Sequence, residues 1–450
     1  MNSKYSNQCA GTQQPVGWVA IAPSLETLKC VVAGLLFLAC SSTASAATLY
    51  WNTTTTALWS GTSNWSTAAW SGGTSAAAPT SADIVYFNQQ SVVGNETIQL
   101  SGAAAAMNLQ FQNSGTTTFE ASATGTQSLT IGATGITMSA RSGAVTIGNS
   151  ARQVAVRLSG TQTWSLASSS QLTVLNELQL NGAALTFSPG GSIGGVGRVA
   201  LAGPVTGTSG QIVLNASTLT LAGSNSFVGG ITVNSGGQLN INQAYALGSG
   251  TLAFGSDTTK NKQFDNTSGG AIAVASNNPM AWNSTVSGQY GMYGVVFIGS
   301  NDLNLGAGTV TTAAAHQSIS VLNGTLTMGG AINSTGAYNW EKNGAGRLVL
   351  TGSSGSHLGT AVINAGTLQI DGTWGSTGGL RISTGTSSYE KFAILSGTGT
   401  VSGTVTTGSA ATEFSAISLA NGSIGSMQIG GGLVLQNNNN LLFDVTTVRL

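Results

Sequence analysis

The stretch "STLTLAGSNSFVGGITVNSGGQLNI", residues 217–241, comes back later in the chain as "GRLVLTGSSGSHLGTAVINAGTLQI", residues 346–370. Laid over one another without a gap, Leu219 and Leu221 fall on Leu348 and Leu350, Val233 on Val362, and Leu239 and Ile241 on Leu368 and Ile370. Gly223 falls on Gly352 and Gly237 on Gly366. In each copy apolar and polar residues alternate, the pattern of a strand buried on one face and wet on the other, and glycine closes each short run. A unit this short cannot bury its apolar face alone. It has to stack on neighbours of its own kind, which predicts a repeat architecture with those ten aliphatic residues in a shared core.

The order L-x-L-x-G, an aromatic with Gly-Gly, then V-N-x-G-x-L-x-I resembles the autotransporter-associated β-strand repeat of bacterial surface and secreted proteins. The second copy departs from it where Ser356 and His357 stand in place of Phe227. "WNTTTTALWSGTSNWSTAAWSGG" with "PTSADIVYFN" is similar to the opening of such mature chains, and "LSGTGTVSG" with "NGSIGSMQIGGGLVLQNNNNLLFDV" to their closing rungs. The resemblance implies an all-β fold, a right-handed parallel β-helix or β-solenoid with an aromatic-rich N-terminal cap. It also implies a passenger that folds outside the cell as coils stack.

Composition points the same way. Lys and Arg number 13 and Asp and Glu 13, so the net charge is zero, and no basic stripe exists for nucleic acid. The 64 glycines and few long charged side chains speak against helices. Residues 1–46 stand apart. Lys29 precedes the apolar run "VVAGLLFLAC", and Ala44 and Ala46 have the spacing that a signal peptidase accepts, so cleavage is expected after Ala46. A lipoprotein signal ending at Cys40 is the rival. Cys9, Cys30 and Cys40 all lie in this leader, so the processed chain is expected to carry no thiol. The expected organisation is signal peptide 1–46, cap 47–90 and solenoid 91–450, for an exported protein, secreted or on the surface of a Gram-negative-type bacterium. From Gly397 onward the chain shows a few short strands and stops at "LLFDVTTVRL", so no C-terminal barrel is expected within it.

Chemistry is sparse. β-Helix hydrolases and lyases need convergent carboxylates, and here the acids are scattered from Asp83 to Asp444. The adjacent pairs Glu341–Lys342 and Glu390–Lys391 are read as solvated loop features, and His316 and His357 as surface turn residues. Asp257 and Asp265 do not have the spacing of a calcium loop. No catalytic residue, metal ligand or cofactor is expected. A carbohydrate-active β-helix enzyme and a self-assembling matrix protein, joined through strand edges, remain as alternatives to a non-enzymatic stalk or adhesin. Asn234, Asn323 and Asn364, each beside a glycine-bearing turn, are expected to take left-handed angles or to form side-chain ladders. Asn437 to Asn440 read as an exposed loop. Trp51, Trp59, Trp65 and Trp70 can be read as an aromatic platform for extracellular glycans, or as the hydrophobic lid that a solenoid's open first edge needs.

Overall fold

In a computed structural model, the described residues are 46–442 except 54, 70–72, 88–94, 168, 191–196, 235, 257–258, 284–293, 313–315, 335, 337, 358, 384–391, 409–414, 420–424 and 437–438. Residues 1–45 with the three cysteines, Trp70, Asp257 and the Glu390–Lys391 pair lie outside them. The described chain is a parallel β-solenoid. It has one 3₁₀ turn, Thr62–Asn64, and no α-helix among the described residues.

Alternating short strands make this architecture because every strand edge meets the next coil. Thr218–Leu221 pairs in parallel with Gln238–Ile241, placing Leu219 beside Leu239 and Leu221 beside Ile241. Arg347–Leu350 pairs with Gly366–Ile370, Leu348 beside Leu368 and Leu350 beside Ile370. The first and last strands of each quoted repeat are thus one face seen on consecutive coils. The two copies do not share a face, however: the first lies in a 16-stranded sheet running from Ala57–Leu58 to Leu433–Val434, the second in an 8-stranded sheet from Ile272–Ala273 to Asn439–Leu442. The motif specifies how a coil returns onto itself rather than which side it occupies.

A typical coil contributes Val310–Thr312, Gln317–Val321 and Thr325–Met328 to three different sheets. The first of those, also 16-stranded, begins near Trp65–Ser66 and reaches Ile332–Ser334. There the Ile332 amide donates to Ser354 Oγ at 3.2 Å, and a 4-stranded sheet from Ser353–His357 to Gln428–Ile429 carries on. Nearer the start, the 14-residue strand Gly125–Met138 turns a corner: Gly125 to Ile131 pair with Arg152–Leu158, and Ile136 to Met138 with Gln162–Leu166. Asn439–Leu442 is also a strand, pairing with Ser415–Ser418, so half of the expected asparagine loop is sheet.

The inward rows form one continuous hydrophobic core. Leu219, Leu221, Val233, Leu239, Ile241, Leu348, Leu368 and Ile370 are fully buried, and Leu350 nearly so. Val362 is the exception. In the strand Ala361–Ile363 the inward residues are Ala361 and Ile363, and Val362 lies half-buried on the outer side, where it pairs with Glu341. The reason is a one-residue difference in corner length. Val233 to Leu239 spans six positions, whereas Ile363, which does Val233's work, reaches Leu368 in five. A slip of one residue exchanges the faces of a strand, so a gapless alignment misplaces this side chain.

Glycine is required where corners of successive coils touch. A methyl group on Gly372 would overlap the carbonyl oxygen of Gly352, and one on Gly399 would overlap that of Gly372. Thermal unfolding followed by circular dichroism checks the register. Ile363→Asp should cost several kcal/mol, an unpaired carboxylate in a dry core, while Val362→Thr should stay within about 0.5 kcal/mol of the parent. Equal effects at the two positions would contradict the inward assignment of Ile363.

Candidate functional site

The first coil is closed by aromatic rings. Thr48–Trp51 pairs antiparallel with Trp65–Ser66, the one reversal among the named strands described, and parallel with Ile84–Phe87 on its other side. Trp51 and Trp59 each meet Trp65 edge to face at 4.9 Å, and Phe87 stacks on Phe111 at 4.9 Å. Trp65 Nε1 donates to the Trp59 carbonyl at 2.7 Å. Trp51 and Trp65 are fully buried and Trp59 is 4% exposed. The faces of these three rings are spent on one another and on the core, which overturns the reading of them as a glycan platform.

The described carboxylates bond across to neighbouring coils. Glu120 accepts from Gln99 on one side at 2.9 Å, and from Asn149 at 3.0 Å and Arg152 at 2.5 Å on the other. Glu177 accepts from Thr206 at 2.8 Å, and Asp302 from the Thr325 amide at 2.7 Å. Asp265 takes the Ser300 amide at 2.9 Å and its hydroxyl at 2.6 Å, and Asp371 the Thr398 amide at 3.1 Å. In Asp83, burial pushes the pKa up, but hydrogen bonds from the Ala47 amide, the Thr80 amide and the Thr80 hydroxyl outweigh it and hold the carboxyl below its ordinary range.

Glu341 and Lys342 correct the sequence reading most sharply. They occupy a strand, not a loop, and both are buried. Successive strand residues face opposite ways. Glu341 therefore lies on the outer side, where it takes His316 Nε2 at 2.9 Å and Asn364 Nδ2 at 3.2 Å. Lys342 points inward between Ile319 and Ile363, and its Nζ donates to the carbonyls of Asn343, Gly344 and Ala365 at 3.0, 2.6 and 2.9 Å. A buried ammonium is tolerable only with such hydrogen bonding, and this one ties two coils together. His316 is held in that network rather than free at a turn; the side chain of His357 lies outside the described residues.

The expected asparagine ladders are present in part. Asn234 donates to Asn215 at 2.7 Å and Asn364 to Asn343 at 2.9 Å, while Asn323 donates to the Ile298 carbonyl at 3.3 Å. None of the three has a positive φ. The left-handed angle falls on the following glycines, Gly236, Gly324 and Gly366.

The described residues also form a concave surface. A groove of about 420 Å³ lies on the outer side of the second 16-stranded sheet, floored by Gln171, Arg198, Thr218 and Gln238 in one row and Thr173, Thr220 and Asn240 in the next. Thr267 forms its wall, its amide and hydroxyl tied to Asn242 Oδ1 at 2.9 and 3.1 Å. Among the described residues Arg198 is the only charged side chain of the lining, and no carboxylate stands within ion-pair distance of it.

A family profile described as passenger-associated-transport-repeat matches residues 213–241 and 341–370. The chain carries two passenger-associated transport repeats. No curated protein and no solved structure matches it. Each passenger repeat covers a little over one coil, so the matched segments are self-returning coils of the solenoid. The second contains Glu341, Lys342 and Asn364, which sequence reasoning did not join. A usable signal was the position of Lys342 in an alternating run, two residues after Trp340, where an inward side chain is due.

At the other end of the chain Glu96 is 2% exposed and accepts from Thr117 at 2.7 Å and Asn113 at 2.9 Å. Burial raises its pKa from the ordinary 4.5 to about 7, against the pull of those two bonds. A carboxyl raised on folding stabilises below its unfolded value, and that contribution fades as pH rises through the folded one. Denaturant titrations at several pH values should therefore show the parent losing roughly 3 kcal/mol relative to Glu96→Gln between pH 4.5 and 7. Parallel pH profiles would contradict the raised value.

Proposed function

We propose that this chain is the passenger part of an exported bacterial surface protein, acting without catalysis as a stiff stalk and adhesive surface. The observation that carries this reading is that each matched passenger repeat forms a coil pairing in register with the next, which is how a chain can fold stepwise as it emerges on the far side of a membrane. The use of Glu120, Glu177, Asp265, Asp302, Glu341 and Asp371 as ties between coils supports a non-catalytic role, because a carboxylate saturated by structural donors is poorly placed to act as acid, base or nucleophile.

Adhesion needs a surface, and the buried tryptophans do not offer one. The groove around Arg198 does. Its hydroxyls and amides suit the hydroxyls of a sugar chain, its rows run across four neighbouring strands, roughly 14 Å at the spacing of a sheet, and its guanidinium, which no described carboxylate pairs, suits a sugar carboxylate. The partner class is thus an acidic extracellular glycan.

Expressed from Met1 in a Gram-negative host, the chain should be recovered from periplasm or medium, and the purified protein should bind trigalacturonate by calorimetry. Arg198→Ala should weaken that binding at least tenfold without changing the melting temperature. Retention of the chain in the cytoplasm would contradict the export reading, and undiminished binding by Arg198→Ala would contradict the adhesive surface.

A further inference from the structure

The amide nitrogen of Ala47 donates to Asp83 Oδ1 at 2.8 Å, and its carbonyl accepts from the Ile84 amide at 2.9 Å. Ala47 packs against the core, whereas Ala46 beside it is exposed. Asp83 is 7% exposed, its other oxygen is taken up by Thr80, and its Oδ1 has this nitrogen as its partner. A carboxylate this enclosed would ordinarily be matched by a cation. Among the described residues no Lys, Arg or His lies on the strands around it, Thr48–Trp51, Trp65–Ser66, Ile84–Phe87 and Ala104–Phe111. The titratable side chains on those strands are Tyr50 and Tyr86, which stack on each other at 5.2 Å.

Hydrolysis of the Ala46–Ala47 bond would put a cation at the nitrogen that Asp83 already holds. We infer that hydrolysis of the Ala46–Ala47 bond places the new α-ammonium of Ala47 on Asp83, so that processing locks the first coil with a half-buried ion pair. A signal peptidase adds one water across the peptide bond; Ala46 leaves as a carboxylate, and the amine on Ala47 takes up a proton at neutral pH. The hydrogen bond already made by the amide to the carboxylate is kept, and its donor gains a full positive charge, so a bond charged on one side becomes an ion pair. The geometry also distinguishes neighbouring cleavage points. Cleavage after Ala47 would remove the donor, and cleavage after Ser45 would leave it an amide.

The arrangement gives the cap a dependence on maturation. Before cleavage the first coil is held by an uncharged amide on the Asp83 carboxylate. Afterwards Asp83 joins the chain's own terminus to the strand Ile84–Phe87, next to the tryptophan-lined end. The inference rests on the export reading for the cleavage itself, but the ion pair can be tested without it.

Two measurements decide the matter. N-terminal sequencing of the exported chain should begin at Ala47; a start at any other residue would overturn the proposal. Separately, a chain made to begin at Ala47 should unfold with an equilibrium constant at least tenfold smaller, at pH 6, than one retaining Ser45–Ala46. An amine whose pKa is raised on folding stabilises fully below its unfolded value of about 7.7 and loses that effect as pH rises through the folded one, so the two chains should converge near pH 10. Asp83→Asn should abolish the difference at pH 6. Equal stability of the two chains at pH 6, or a difference that survives to pH 10, would overturn the ion pair. The comparison with Ser45–Ala46 retained leaves Asp83 intact and stays readable if Asp83→Asn does not fold. Failure of export with a measurable ion pair would count against the export reading alone.

Discussion

Everything in this molecule depends on one constraint: each strand must find its hydrogen-bonding partner on the next coil, about 4.8 Å away and in register. A parallel stack leaves no room for a strand to choose another neighbour, so what varies from coil to coil is confined to the corners and the outer row. Inside, the same position is filled again and again by Leu, Ile, Val or an aromatic ring. At tight corners the distance between coils decides the residue, which is why Gly352, Gly372 and Gly399 follow one another.

The sequence was legible where the alternation is strict and opaque where geometry is decided by the previous coil. Leu219, Leu221, Leu239 and Ile241 could be placed because they alternate with polar residues and recur. Val362 could not, because a corner one residue shorter changes faces without changing the pattern by eye. Glu341 and Lys342 looked like surface charges by residue type; only the coil register shows that one faces a histidine on the outside and the other three carbonyls within. The tryptophans carried the right signal, bulk at the start of the chain, but their mutual edge-to-face packing comes from a strand reversal that no motif announced. The groove was invisible for the same reason: Gln171, Arg198, Thr218 and Gln238 are far apart in sequence and adjacent only by stacking.

That logic extends to charge. With 13 acidic residues in 450, this chain could have left them in solvent, yet the described ones reach between coils. A carboxylate that accepts from the next coil does for side chains what the backbone ladder does for the main chain, and it does so where loops would otherwise let coils slide. The same use of a carboxylate at Asp83 ties the beginning of the solenoid. Ties between coils and variation on the outer rows are what the proposed stalk would use, and both follow from the stacking rule.

Disulfide trapping across neighbouring coils tests that rule most directly. Thr220 and Asn240 are partners on consecutive coils, and Asn240 Nδ2 donates to Thr220 Oγ1 at 3.0 Å, so their Cα atoms sit within the span a disulfide bridges. In a chain beginning at Ala47, Thr220→Cys with Asn240→Cys should oxidise to an intramolecular disulfide. Thr218→Cys with Asn240→Cys, displaced by two residues along the strand, should remain reduced under the same conditions. Efficient cross-linking of the displaced pair, or none in the matched pair, would contradict a parallel, in-register stack of coils.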